Sequence, residues 1–163
     1  MGRDRFDELV QAFLAERRIA IWGVEGTKGD PGAWVAGRFR RQGVEVVAVN
    51  PTFGQDPTPE RAPSLTRVEP PVRAVLVYVD RPRAAAAVDD CVAARTPLVW
   101  LHDALSPGAA VAPHIERLQA AGSAVIAGLC PLLFLSATDP AHACLRWILR
   151  LTGKEKRVRQ QTA

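Results

Sequence analysis

The sequence predicts an α/β fold: a doubly wound, five-stranded parallel sheet with helices on both faces, in a single domain. Three observations predict it. Five short apolar runs alternate with helical patterns along the chain. Those runs are continuous rather than alternating, as in strands buried on both faces. The chain has 163 residues, 48% of them hydrophobic and 23% charged, which is enough for one buried core and is not a disordered composition. Only 6% is aromatic, and the abundance of Ala and Val suits closely packed layers.

Residues 3–16 read as an amphipathic helix, because Phe6, Leu9, Val10, Phe13 and Leu14 recur at helical spacing. Ile19 to Trp22 is the first strand. A Gly-rich loop, Gly23 to Gly32, follows, and a helix begins near Pro31, where a missing N–H costs nothing. That helix runs to Arg41 and stops at Gly43. Val44 to Val49 is the second strand, ended by Asn50-Pro51. Thr52 to Pro63 reads as a loop, rich in Pro, Gly, Thr and Asp. Ser64 caps one helical turn before Pro70-Pro71.

Ala74 to Val79 is the third strand. Asp80 then caps a helix that carries Pro82 in its first turn and runs through Ala94. Leu98 to Leu101 is the fourth strand, and Ser106-Pro107 starts a helix that ends at Gly122. Ala124 to Ala127 is the fifth, left by the apolar turn Gly128–Leu133. Asp139-Pro140 opens a last helix, Ala141 to Leu151, stopped by Gly153. No linker or repeat divides the chain. The expected organisation is an N-terminal helix (1–17), the α/β domain (18–153) and a basic, disordered tail (154–163).

The net charge is +4 and the isoelectric point about 9.4. This describes either a mildly basic protein or one drawn to an anionic partner. Much of the excess lies in Lys154–Arg159, a run that reads as a solvated end. No basic helix is interleaved with aromatic residues, so nucleic acid is not expected as a partner. Cys91, Cys130 and Cys144 include no CxxC pair, which argues against a disulfide framework and a zinc site. No apolar leader or spanning run is evident, so a cytoplasmic protein without a membrane partner is expected. The oligomeric state stays open, a homodimer among the options.

In sheets of this kind ligands bind outside the carboxyl ends of the strands, where strand order reverses. The first such end is the most suggestive. Gly23, Gly26, Gly29 and Gly32 let backbone approach a ligand, and free N–H groups at a helix start favour an anion. Thr27 adds a hydroxyl and Lys28 a cation. The plain alternative is a flexible strand-to-helix turn. The Walker pattern GxxxxGK[ST] fails because Lys28 precedes Gly29, and GxGxxG fails at Val24-Glu25. Asn50 stands where an NAD site would place an acid.

The apolar strand into Gly23-Val24, the Pro31-Gly32 pair and Val49-Asn50-Pro51 together form a recognisable order. So do Pro63-Ser64-Leu65, Tyr78-Val79-Asp80-Arg81-Pro82 and Val99-Trp100-Leu101. Over roughly residues 18–130 the chain resembles the small CoA-binding proteins with a Rossmann-like fold. These are similar to the CoA-binding domain of the succinyl-CoA synthetase alpha subunit. The resemblance implies coenzyme A or acyl-CoA as a small-molecule nucleotide ligand, with phosphates on the first loop and the nucleotide enclosed by the second and third strand ends. The implied cofactor-binding set is Gly23, Val24, Glu25, Thr27, Lys28, Pro31, Gly32, Asn50, Pro51, Val79, Asp80, Arg81 and Trp100. Val24-Glu25 stands where relatives carry Ala-Ser, and Cys130 alone matches their strand-five exit.

Alternatives stand beside several of these roles. Asn50 either binds a ribose or amide group or caps the strand end. Arg81 either meets a phosphate or pairs with Asp80 or solvent. Trp100 and Trp22 are either stacking platforms or core. Cys130 either forms a mixed disulfide with the coenzyme or is an inert buried thiol. His102-Asp103 is either a base with its orienting acid or a loop, while His114 and His142 have no partner at metal-ligand spacing. No convincing nucleophile, base and oxyanion set emerges, so a binding protein without independent catalysis is expected. An NAD(P)-binding oxidoreductase or redox sensor, and an interaction module with a vestigial nucleotide pocket, remain as alternatives.

Overall fold

The computed structural model describes residues 4–103, 108–135, 149 and 151–162. Its centre is a parallel sheet of six strands in the order β3-β2-β1-β4-β5-β6. They are β1 (Arg18–Trp22), β2 (Glu45–Val49), β3 (Arg61–Ala62), β4 (Ala74–Val77), β5 (Leu98–Leu101) and β6 (Ala124–Ala127). The chain winds outward from β1 in one direction, returns to pair β4 with β1, and winds outward in the other. The β1–β4 junction is therefore the point where strand order reverses, and a crevice opens above it.

The sixth strand was not expected. Arg61 and Ala62 pair with Ala48 and Val49 inside the segment read as loop. Two residues are too few to carry a periodicity, and only Ala62 is buried. The third predicted strand also ends two residues early, at Val77, although Tyr78 N still donates to Trp22 O at 2.9 Å.

Strand side chains alternate between two apolar layers. Ile19, Ile21, Val46, Leu76, Trp100 and Ile126 face α1 (Arg5–Leu14) and α2 (Pro31–Arg41), which contribute Phe6, Phe13, Val35 and Phe39. Ala20, Trp22, Val47, Val75, Val77 and Leu101 face α3 (Arg81–Ala93) and α4 (Ala112–Ala120), which contribute Ala84, Val88, Cys91 and Leu118. The small alanines of α3 let that helix lie close to the sheet. Asp90, half-buried on α3, accepts from Trp22 Nε1 and from Leu65 N, each at 2.8 Å. It thereby joins the sheet, α3 and the turn after β3.

Three helix starts differ from expectation, the first being Ser64, which precedes the turn Leu65–Arg67 without a side-chain capping bond. α3 begins behind Asp80, but the Asp80 carboxylate makes no capping bond and instead accepts from Arg83 Nε at 3.0 Å. α4 begins at Ala112 behind Val111, later than Ser106-Pro107. The expected helix from Ala141 to Leu151 lies outside the described residues except at 149 and 151, as do Cys144 and His142.

The expected disordered tail is instead a helix, α5 (Lys154–Thr162). Its basic residues do not simply face water. Arg159 pairs with Asp4 at 2.7 Å, Asp7 at 3.0 Å and Glu155 at 2.9 Å, and its guanidinium sits 4.7 Å from the Phe6 ring centroid. Val158 is buried, and Thr162 Oγ1 accepts from Ala127 N at 3.2 Å. The charge run hid this because its one apolar anchor carries no helical period. Arg159→Ala is expected to cost about 1 kcal/mol and to lower the melting temperature by about 2–4 °C. An unchanged melt by circular dichroism would mean that this ion-pair cluster does not secure α5.

Candidate functional site

The site is assembled from the carboxyl ends of β1, β4 and β5 and the head of α2. A cleft of about 200 Å³ opens there, lined by Gly23, Glu25, Asp30, Pro31, Tyr78, Val79, Asp80, Arg83, His102 and Gly108. The two glycines are structurally required. Gly23 has φ +106°, and a Cβ on it would run into Tyr78 O and the Val79 side chain. A Cβ on Gly108 would run into His102 O.

The first loop is organised by Asp30. As N-cap of α2, it accepts from Gly32 N through Oδ1 at 2.8 Å. Its other oxygen reaches back and accepts from Glu25 N at 2.7 Å and Gly26 N at 3.0 Å. These are amides that the sequence reading offered to a phosphate. Asn50 fixes the loop from the other side. Its Nδ2 donates to Val24 O at 3.0 Å, while Oδ1 accepts from Thr52 N and Thr52 Oγ1. Asn50 is only 5% exposed, so the bracing role takes up its side chain.

Across the mouth of the cleft, Arg83 NH1 donates to Glu25 Oε1 at 2.9 Å while its Nε holds Asp80. The loop after β1 is thus tied to the first turn of α3. The Arg83 hydrogen bond holds the Asp80 carboxyl below the usual carboxylate range. On the floor, Tyr78 and His102 lie ring to ring with centroids 4.2 Å apart. Burial raises the Tyr78 phenol and pushes the His102 imidazole down to about 4, so His102 is neutral at pH 7. Asp103 is engaged by Lys154 Nζ at 3.1 Å. Burial pushes the Cys130 thiol up to about 11 and also raises Cys91.

Of the residues singled out in the sequence, Gly23, Glu25, Pro31, Val79 and Asp80 line the cleft. Val24 is buried beneath the loop, and Gly32 is buried at the head of α2. Thr27 lies on the outer side, with Gly29 and Trp34, around a shallower depression of about 590 Å³ that shares Asp30 and Pro31 with the cleft. Lys28, Pro51 and Arg81 are exposed and do not line the cleft, although Lys28 and Arg81 flank lining residues along the chain. Trp100 is a correction. It is 0% exposed, packs edge-on to Phe13 and donates from Nε1 to Gly128 O at 2.8 Å, so it is core and no stacking platform. Trp22 is likewise buried.

The sequence reading missed Asp30, Tyr78 and Arg83 as site residues. Asp30 carried a usable signal, since Asp before Pro-Gly at a helix head is a cap signature. Arg83 carried another, three residues after Asp80 on the same helix. Tyr78 was hidden because it reads as one more apolar strand position. Among the described residues, no three or more His, Cys, Asp or Glu side chains converge as metal ligands would, and no helix is long and apolar enough to cross a membrane.

Solved structures share this fold. A protein from Pyrococcus horikoshii OT3 superposes with a TM-score of 0.63 at 18% identity, over 80% of this chain and 92% of that one. One from Thermus thermophilus gives 0.60 at 27% identity, over 73% and 88%. The dinucleotide-forming acetyl-coenzyme A synthetase 1 of Ca. Korarchaeum cryptofilum gives 0.57 at 18%, over 72% of this chain but 27% of the enzyme. No curated protein matches. The profile of the CoA binding domain matches residues 17–136, which take in all six strands and every residue lining the cleft. The chain belongs to the CoA binding domain family.

Proposed function

We propose that the chain binds coenzyme A or acyl-CoA across this cleft and performs no catalysis of its own. The observation that carries the reading is the position of the cleft. It sits where strand order reverses, in a chain of the CoA binding domain family. The coenzyme's apolar arm suits the Tyr78-Val79 floor. Its phosphates suit cations: the guanidinium of Arg83 in the cleft lining, and the exposed Lys28 and Arg81 that flank lining residues along the chain. No catalytic step is assigned, because His102 is a weak base and Cys130 a protonated, buried thiol.

Calorimetry and thermal shift with CoA, acetyl-CoA, NAD, NADP and ATP test the reading. At a hundred-fold excess over Kd, a ligand of the native state adds about 2.7 kcal/mol of stability. Preferential stabilisation by CoA or acetyl-CoA is expected, and Lys28→Ala and Arg83→Ala should each weaken it about 3- to 10-fold. Preference for NAD or NADP would replace it with a redox role. One observation favours a second reading, an interaction module with a vestigial pocket: Asp30 already fills loop amides that a phosphate would use. Stabilisation by no nucleotide would select that reading.

A further inference from the structure

Three carboxylates, Glu25, Asp30 and Asp80, line the cleft against one guanidinium, that of Arg83. Such a lining repels a free phosphate dianion, whatever the glycines of the loop permit. Asp30 is the innermost of the three, 9% exposed and bonded to three amides. Helix capping accounts for the bond to Gly32 N alone. The two bonds running back to Glu25 and Gly26 are outside a capping role and close the loop on itself.

We propose that Asp30 is the specificity-determining residue of this cleft. Its carboxylate is an internal anion on the first loop, which denies those amides to a ligand phosphate and leaves phosphate contacts to Arg83, Lys28 and Arg81. The inference rests on the cleft being a ligand site, but not on which nucleotide enters it. Its consequence is selectivity. Small phosphates, which have only charge and amides to hold them, are turned away. A long ligand gains contact along the cleft floor and needs only one or two of those cations.

The probe is inorganic pyrophosphate, titrated into the full chain and into Asp30→Asn and Asp30→Ser. Both substitutions keep a capping oxygen and remove the charge. Weak binding to the native chain and about tenfold tighter binding to the variants are expected, with amide shifts at Glu25 and Gly26 in proton–nitrogen spectra of the variants only. Equal affinity for native and variant chains would overturn the proposal. So would shifts of the Glu25 and Gly26 amides when pyrophosphate is added to the native chain, a measurement that needs no variant to fold. A parallel CoA titration of the native chain separates the two readings. If CoA binds while Asp30→Asn leaves pyrophosphate affinity unchanged, the coenzyme reading stands and this one falls.

Discussion

Gly23→Ala is expected to lower the melting temperature by about 10 °C. Two costs combine. An L-residue at positive φ costs about 1–2 kcal/mol, and forcing a methyl into a filled space costs about 1–3 kcal/mol more. A domain of this size loses roughly 2–4 °C per kcal/mol. The crowding is severe because the obstacle on one side is backbone: the Tyr78 carbonyl, one residue past the end of β4, the strand that pairs with β1. Gly29→Ala is the control. Gly29 also has positive φ, +85°, but a Cβ there meets nothing within 4 Å. The difference between the two melts isolates the crowding term. If both variants melt alike, the close approach of the β1 exit to Tyr78 is not a constraint on the fold.

Stability is expected to fall as pH drops from about 6.5 toward 4, and His102 is the residue responsible. Its imidazole is held down to about 4 by burial, against 6.5 for the free group, with Asp103 opposing and Lys154 reinforcing the shift. In that interval the unfolded chain binds a proton that the folded chain refuses. Acid therefore favours unfolding, and the contribution is fully recovered above pH 6.5. A depression of this size corresponds to at most about 3 kcal/mol. Urea midpoints measured at pH 4.5 and 7 check it. His102→Gln, which cannot titrate, should flatten the profile across this window while the carboxylates still shape it below. A native-like slope in His102→Gln would assign the acid sensitivity elsewhere.

The sheet was legible because its strands are continuous apolar runs, and helix starts at Pro31 and Arg81 were legible from Pro31 and from Asp80-Arg81-Pro82. The crevice followed from topology alone. What escaped notice were features set by tertiary partners. β3 exists because Arg61 and Ala62 lie beside β2, not because two residues prefer extension. α5 is anchored by Val158, Arg159 and Thr162, whose partners lie far away in sequence, at the end of β6 and at the head of α1. Trp100 and Asn50 sit at the right strand ends by number, yet one points into a layer and the other bonds loop backbone. Composition cannot tell whether a loop amide is free. Only the Asp30 geometry does, and it changes the meaning of the glycines around it.

The contact between Thr162 and Ala127 has a consequence for self-association. β6 is the outermost strand on its side, and Ala127 would otherwise present a backbone donor to any passing extended segment. The threonine hydroxyl occupies that donor, and on the opposite border β3 offers only two residues as a template. An extended segment that sought to pair at the end of β6 would therefore first have to peel α5 away from Ala127.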